Sequence, residues 1–174
     1  MLQLLLLALL ASTCGTERQA VKTLADNPGL EKVVTSSVTA LRALPAPKTW
    51  GDTMPRLPAE RKVYRMKALL LGYKLEADQD YHLVLAEIGK PKLTMIAEIP
   101  SAECAQELAE KFKKERAFVE SIHKPKAAGD MVWFVKPVAV VTTGPAFFDK
   151  LHGQTGVAPN GIELHPVLGI ERAR

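Results

Sequence analysis

Val63-Tyr-Arg-Met-Lys-Ala-Leu-Leu-Leu-Gly-Tyr-Lys-Leu75 is the stretch on which the fold turns. Its apolar side chains fall first on even positions (Tyr64, Met66, Ala68, Leu70) and then on odd ones (Leu69, Leu71, Tyr73, Leu75). A strand sends alternate side chains to opposite faces, so a change of phase marks a bend or bulge that re-aims its second half. Gly72 stands where such a bend needs a residue without a Cβ. A long first strand bent in its middle is what a small closed barrel requires.

Working downstream, Asp80 to Glu87 reads as a second strand with Tyr81, Leu83 and Leu85 on one face. Gly89-Lys90-Pro91-Lys92 is a turn, and Leu93 to Ile99 a third strand in which Leu93, Met95, Ala97 and Ile99 alternate with Thr94, Ile96 and Glu98. Pro100 and Ser101 open a helix, with Ser101 as N-cap. Cys104, Leu108, Phe112, Phe118, Val119 and Ile122 then recur at helical spacing, with Glu107/Lys111 and Glu110/Lys114 as supporting pairs. Lys111 and Glu115 intrude on that stripe. Met131 to Thr143 is apolar and valine-rich, fitting one strand or two split at Pro137. Gly144 to Gly161 reads as a long loop, and Ile162 to Glu171 as the last strand.

The order is therefore β-β-β-α-β-β, a mainly β chain with one helix. It is the order of a five-stranded OB-like antiparallel barrel. A five-stranded sheet with the helix packed on one face has the same order. This domain spans residues 61–174, preceded by a polar, proline-punctuated N-terminal arm over 14–60, in which Val38 to Leu44 form a short helix ended by Pro45 and Pro47.

Leu4 to Ala11 is apolar throughout and too short to span a bilayer. Small residues Ala11, Ser12 and Thr13 follow, so residues 1–13 read as a signal peptide and the chain as exported, periplasmic or extracellular. No Lys or Arg precedes the run, which raises the alternative of a true start upstream; a buried N-terminal helix is the other reading. In an oxidising compartment Cys14 and Cys104 suggest a disulfide between arm and domain. A lipid on Cys14, the one route to a membrane here, and two free thiols are the alternatives.

Lys and Arg number 23 against 19 Asp and Glu, a net charge of +4 that falls short of the basic stripe of a dedicated nucleic-acid binder. Apolar residues make up 47%, enough for one globular core.

The segment His152-Gly-Gln-Thr-Gly-Val-Ala-Pro-Asn-Gly-Ile-Glu-Leu-His-Pro-Val167 is distinctive. With Glu17-Arg18, Val21-Lys22-Thr23, Tyr73-Lys74-Leu75-Glu76, His82-Leu83-Val84-Leu85 and Met95-Ile96-Ala97-Glu98-Ile99-Pro100, it resembles a family of small exported bacterial proteins of uncharacterised function. The resemblance covers nearly the whole mature chain; it implies export and a single domain, and carries no activity with it. Staphylococcal-type nucleases share the barrel order, but their chemistry needs arginines around a calcium site. No arginine lies between Arg65 and Arg116, or between Arg116 and Arg172.

Candidate ligand-binding residues gather before and within the last strand: Phe148, Asp149, His152, Gln154, Asn160, Glu163 and His165. In an OB-type barrel this connection walls the ligand groove. Asp149, His152, Glu163 and His165 have side chains that zinc accepts, though no cofactor is expected outright. Against this stands a purely structural loop: Gly153, Gly156, Pro159 and Gly161 form turns, and Gln154 and Asn160 satisfy its backbone. His82 beside Asp80 is a further candidate, read as a half-exposed histidine without a paired nucleophile. Glu76, Asp78 and Asp80 read as a solvated acidic turn, which would repel a phosphate backbone, and Lys111, Lys113, Lys114 and Arg116 as a solvated helix face. The expectation is an exported, non-enzymatic binding module for a small ligand, glycan or protein. A hydrolase, metal-assisted through His152, His165 and Asp149, is the rival, and single-stranded nucleic-acid binding a third reading that rests on fold alone.

Overall fold

The computed structural model describes residues 14–174 except Gln106, so the leader expected over 1–13 lies outside the described residues. The chain is mainly β. Its strands are β1 (Val34–Thr35), β2 (Val63–Leu75), β3 (Tyr81–Glu87), β4 (Lys90–Ile99), β5 (Val132–Phe148), β6 (Ile162–Leu164) and β7 (Gly169–Arg172). The helices are α1 (Gln19–Lys22), α2 (Val38–Arg42) and α3 (Ala109–Ile122), with 3-10 turns at Pro58–Arg61 and Ala102–Cys104.

All seven strands belong to one sheet, and five of them pair into a closed ring. β2 pairs antiparallel with β3 and β3 with β4; β4 runs parallel to β6, β6 antiparallel to β5, and β5 antiparallel to β2 from Val63↔Pro145 to Tyr73↔Val132. β1 and β7 attach outside the ring, to β2 and β5. The bend read from the phase change in β2 is present as a register shift between Leu70 and Gly72. A Cβ on Gly72 would run into the carbonyl of Val132, so only glycine lets the two longest strands cross there.

The ring encloses Met66, Ala68, Leu70, Leu83, Leu85, Met95, Ala97, Ile99, Val140 and Leu164, all 0–1% exposed. α3 adds Phe112 and Val119. Glu115, which interrupts its apolar stripe, is buried because its carboxylate accepts the backbone N–H of Ile170 on β7. Lys111, Lys113 and Lys114 face solvent, as expected. Arg116 does not: its guanidinium stacks 3.6 Å from the Tyr81 ring centroid and donates to Gln79 O.

Several expectations need correcting. α3 begins at Ala109, after a 3-10 turn, and Ser101 caps nothing; its backbone N–H goes to Asp80. Glu110 pairs with Lys113. β5 is one strand that continues through Phe148, so the long connection shrinks to 149–161. The last strand is two, β6 and β7, separated by the His165–Pro166 segment.

The arm joins the same core. Val38 and Leu41 of α2 are buried in it, and Ser37 caps α2 by accepting from Ala40 N. Cys14 and Cys104 form the disulfide that ties the start of the arm to the turn before α3, which leaves Cys14 no thiol for a lipid. Arg18, wholly buried, grips Glu60 through two hydrogen bonds of 2.8 Å. Such a bidentate pair satisfies both charges and fixes the arm's orientation. Among the described residues no helix is long and apolar enough to cross a membrane.

A candidate metal centre beneath the arm and the 149–161 loop

The inner faces of β3 and β4 are apolar, as their alternation requires. The opposite face carries His82 and Val84 on β3, Ile96 and Glu98 on β4, and Glu163 on β6, and it is buried too. The loop 149–161 lies down on it. A Cβ on Gly156 would collide with the Val84 methyls, Ala158 is fully buried, and Thr155 offers its carbonyl to His82. The connection expected to wall an open groove instead covers this face among the described residues. Clefts lie elsewhere: one of 470 Å³ is lined by Leu24, Asn27, Cys104 and Leu108.

Under this cover lies a cluster of two histidines and several carboxylates. His82 sits directly opposite Glu98, its Nδ1 3.1 Å from Glu98 Oε1 and 3.4 Å from Glu76 Oε1. Its Nε2 lies 2.8 Å from Thr155 O. Both ring nitrogens face atoms that only accept, so His82 is held as the imidazolium. Burial alone would lower its pKa, but the Glu98 bond and charge, the Thr155 carbonyl and Glu76 outweigh burial and raise it. His82 is thus 1% exposed and oriented by Glu98, and is neither half-exposed nor paired with Asp80.

His165 is different. It is fully buried and both its ring nitrogens lack a hydrogen-bond partner. Nδ1 lies 3.0 Å from Glu98 Oε2, without hydrogen-bond geometry, and 4.0 Å from Glu163 Oε2; Nε2 lies 3.7 Å from Asp80 Oδ2. Glu163 Oε2 is likewise buried and unpartnered. The second oxygens of the other two carboxylates are taken: Ser101 N–H donates to Asp80 Oδ1 at 2.8 Å, and His82 holds Glu98 Oε1.

The electrostatics follow from crowding acids in a dry place. Burial, reinforced by Asp78 and Glu98 and opposed by His165, pushes the Asp80 carboxyl up to about 6. Burial, then the charges of Glu98 and Asp149, drive Glu163 well above the carboxylate range. Glu98 goes the other way: burial would raise it, but His165, His82 and Lys22 hold it well below.

Asp80, Glu98 and His165 each place a donor atom within 4.8 Å of the others, and so do Glu76, His82 and Glu98. The second set is spoken for, because His82 is doubly bonded and Lys74 sits 2.8 Å from Glu76 Oε1. The first set keeps free donors. An ion binds one nitrogen of His165, and that nitrogen with one oxygen each of Glu98 and Asp80 lies within 4.8 Å of the others, wider than the roughly 3.3 Å between ligand atoms on a tetrahedral zinc but closable by side-chain adjustment.

Of the expected site residues, His82, Glu163 and His165 come together here, with Asp149 at the edge, its Oδ1 buried and unpartnered. The others serve the fold. Phe148 faces the core. Asn160 donates to the carbonyls of Leu41 and Leu44 and so closes the end of α2. Gln154 bonds Asp149 and Lys150 within the loop, and His152 is exposed, 3.8 Å from Asp149. Glu98 and Lys22 were not anticipated, and Asp80, expected beside His82 in a solvated acidic turn, is instead 3% exposed and faces His165, while Glu76 and Asp78 stay partly exposed.

No family model, curated protein or solved structure matches the chain.

Proposed function

We propose that the chain is an exported binding module whose ligand is a divalent metal ion of the zinc class, taken up by His165, Glu98 and Asp80 with Glu163 alongside. The observation that carries this is His165: a wholly buried imidazole that makes no well-formed hydrogen bond, with Glu98 Oε2 3.0 Å from Nδ1, Asp80 Oδ2 3.7 Å from Nε2, and the buried, unpartnered Glu163 Oε2 beside it. An unmade hydrogen bond in the interior costs about 1–3 kcal/mol per group, more for charged ones, and a dication satisfies ring and carboxylates together. Imidazole plus carboxylate is a donor set zinc accepts, and partners that hold the non-ligating oxygens are typical of metal ligands. A covered site suits an ion that stays bound better than a hydrolytic metal, which must keep a position open to substrate.

An OB-like barrel is the architecture we assign to this module. The ring order β2-β3-β4-β6-β5, with α3 between β4 and β5, supports that reading. Export is supported by the apolar leader, the resemblance to small exported bacterial proteins and the disulfide.

The test is calorimetric titration of chelator-stripped protein with Zn²⁺, alongside metal analysis of protein purified without chelator. One ion per chain is expected, with protons released as Glu163 and Asp80 ionise. His165→Ala is expected to abolish uptake and His152→Ala to leave it intact. Uptake that survives His165→Ala, or no stoichiometric ion by either method, would overturn the proposal.

A further inference from the structure

We infer that residues 150–157 are the door through which the ion enters and leaves the cluster; this rests on the metal reading above. Of the three ligands, Glu98 alone meets solvent appreciably, with 13% of its side chain exposed, while Asp80 and His165 stand at 5% and 0%. An ion held by all three must pass a cover that shuts two of them off, so part of that cover has to move. Two segments form it, the arm and the 149–161 loop.

The two are fastened very differently. The arm is held by the Cys14–Cys104 bond, by the buried Arg18–Glu60 pair at 2.8 Å, and by Arg56, which donates to Val21 O and to Asp26. Among the described residues, 150–157 makes one hydrogen bond outside its own loop: Thr155 O faces His82 Nε2 at 2.8 Å. Its other links are the seat of Gly156 against Val84 and Lys150 at 5.6 Å from the Trp50 ring. The remaining polar contacts turn inward, Gln154 donating to Asp149 and Lys150, and Val157 N to Gln154 O. The foot of the loop is closed, because Asp149 N donates to Gly161 O and Gly161 N to Ala158 O, each at 2.9 Å, while Asn160 holds the end of α2. A closed foot beneath a singly fastened crown lets the crown lift as one piece. Gly153 and Gly156, on either side of Thr155, sit at φ 85° and 84°, where glycine alone moves freely. The opening also leads to the right place: His82 lies directly opposite Glu98 across the strand pair, so lifting Thr155 uncovers the ligand already nearest to solvent.

The experiment follows Zn²⁺ uptake by chelator-stripped protein, and release to excess chelator, by stopped flow with a chromogenic zinc indicator. It compares wild type, wild type with the disulfide reduced, and Gly156→Ala, whose Cβ would meet Val84 Cγ1 at 2.6 Å and hold the loop off the sheet. In wild type the uptake rate should level off as Zn²⁺ rises, because opening becomes limiting. Gly156→Ala should speed uptake and release alike, by roughly tenfold, and change the affinity less than either rate. Hydrogen exchange of the metal-free wild type supplies a readout that needs neither ion nor variant: the amides of 150–157 should exchange together and faster than those of α1. An uptake rate that climbs linearly without a plateau, or loop amides no faster than those of α1, would overturn the inference. So would faster Zn²⁺ exchange on reducing the disulfide with none in Gly156→Ala, which would put the door in the arm. Wild type that takes up no Zn²⁺ at equilibrium would strike down the metal reading itself, and the door with it.

Discussion

Glu98 joins two imidazoles: its Oε1 is 3.1 Å from the ring of His82 and its Oε2 3.0 Å from the ring of His165. One carboxylate thereby anchors β3 to the segment after β6 from the C-terminal end of β4. Removing it strands two buried rings. Glu98→Ala is expected to cost about 3–5 kcal/mol, the range for breaking a buried charged pair. Urea unfolding at neutral pH reads this as a lower midpoint, and a loss under about 1 kcal/mol would show that the cluster contributes little to stability.

The pH dependence of the metal-free protein has a definite sign. Asp80 has a folded pKa of about 6, above its ordinary 3.8. The folded state therefore takes up that proton first, so stability rises as pH falls from about 6 toward 3.8 and is lower above it. His82, raised above 6.5, acts the same way: its contribution is full below 6.5 and is lost as pH rises through its folded value. Glu98 opposes only in acid, where its contribution disappears as pH falls below 4.5 through its depressed value. Protein kept in chelator should thus have a higher urea midpoint near pH 5.5 than near pH 8, with Asp80 accounting for about 1 kcal/mol of the difference. The opposite order would contradict the buried placement of Asp80.

The disulfide closes a loop over a sequence separation of 90 residues. Cross-links of that span limit the unfolded chain and typically stabilise by about 2–4 kcal/mol. Replacing Cys14 and Cys104 together with serine is expected to lower stability by about 3 kcal/mol. Identical unfolding curves for oxidised wild type and the double variant would mean the bond does not restrain the chain.

All three tyrosines resist ionisation. Burial, then the hydrogen bond to Glu120, pushes Tyr81 up to about 12 against the pull of Arg116; burial, helped by Tyr81 and Glu120, raises Tyr73, and burial with Glu31 raises Tyr64. As pH climbs past 10 the unfolded chain ionises before the folded one, so stability declines. Native protein near pH 11 should show little phenolate absorbance, which appears together with loss of tertiary structure. Glu120→Gln should let one tyrosine titrate earlier.

Local pattern made the inner half of the architecture legible. The phase change in β2, the glycine at its bend and the alternation of Leu83, Leu85, Met95 and Ala97 each depend on neighbours in sequence, and each has its counterpart in the ring. The outer face was not legible, because His82 and Glu98 read as solvent-facing until a loop from residues 149–161 and an arm from the other end of the chain cover them. Register conceals the pairing as well. The pairing passes from Glu87↔Lys90 to Ala86↔Thr94, so counting back from the turn sets His82 against Met95 and hides its partner. Asp80 was obscured for a similar reason, since Ser101 and His165, the residues that hold it, are distant along the chain.

The mutual pairing of β2 and β5 has a practical result. The valine-rich run from Val138 to Val141, the segment best suited to stacking between molecules, has its hydrogen-bonding groups engaged by β2 on one side, and Val140 and Val141 by β7 on the other. Little backbone there is left to template a neighbouring copy. Fraying of β7 at the C-terminus would uncover the outer side of Val140 and Val141, so this run's protection depends on the last strand staying seated.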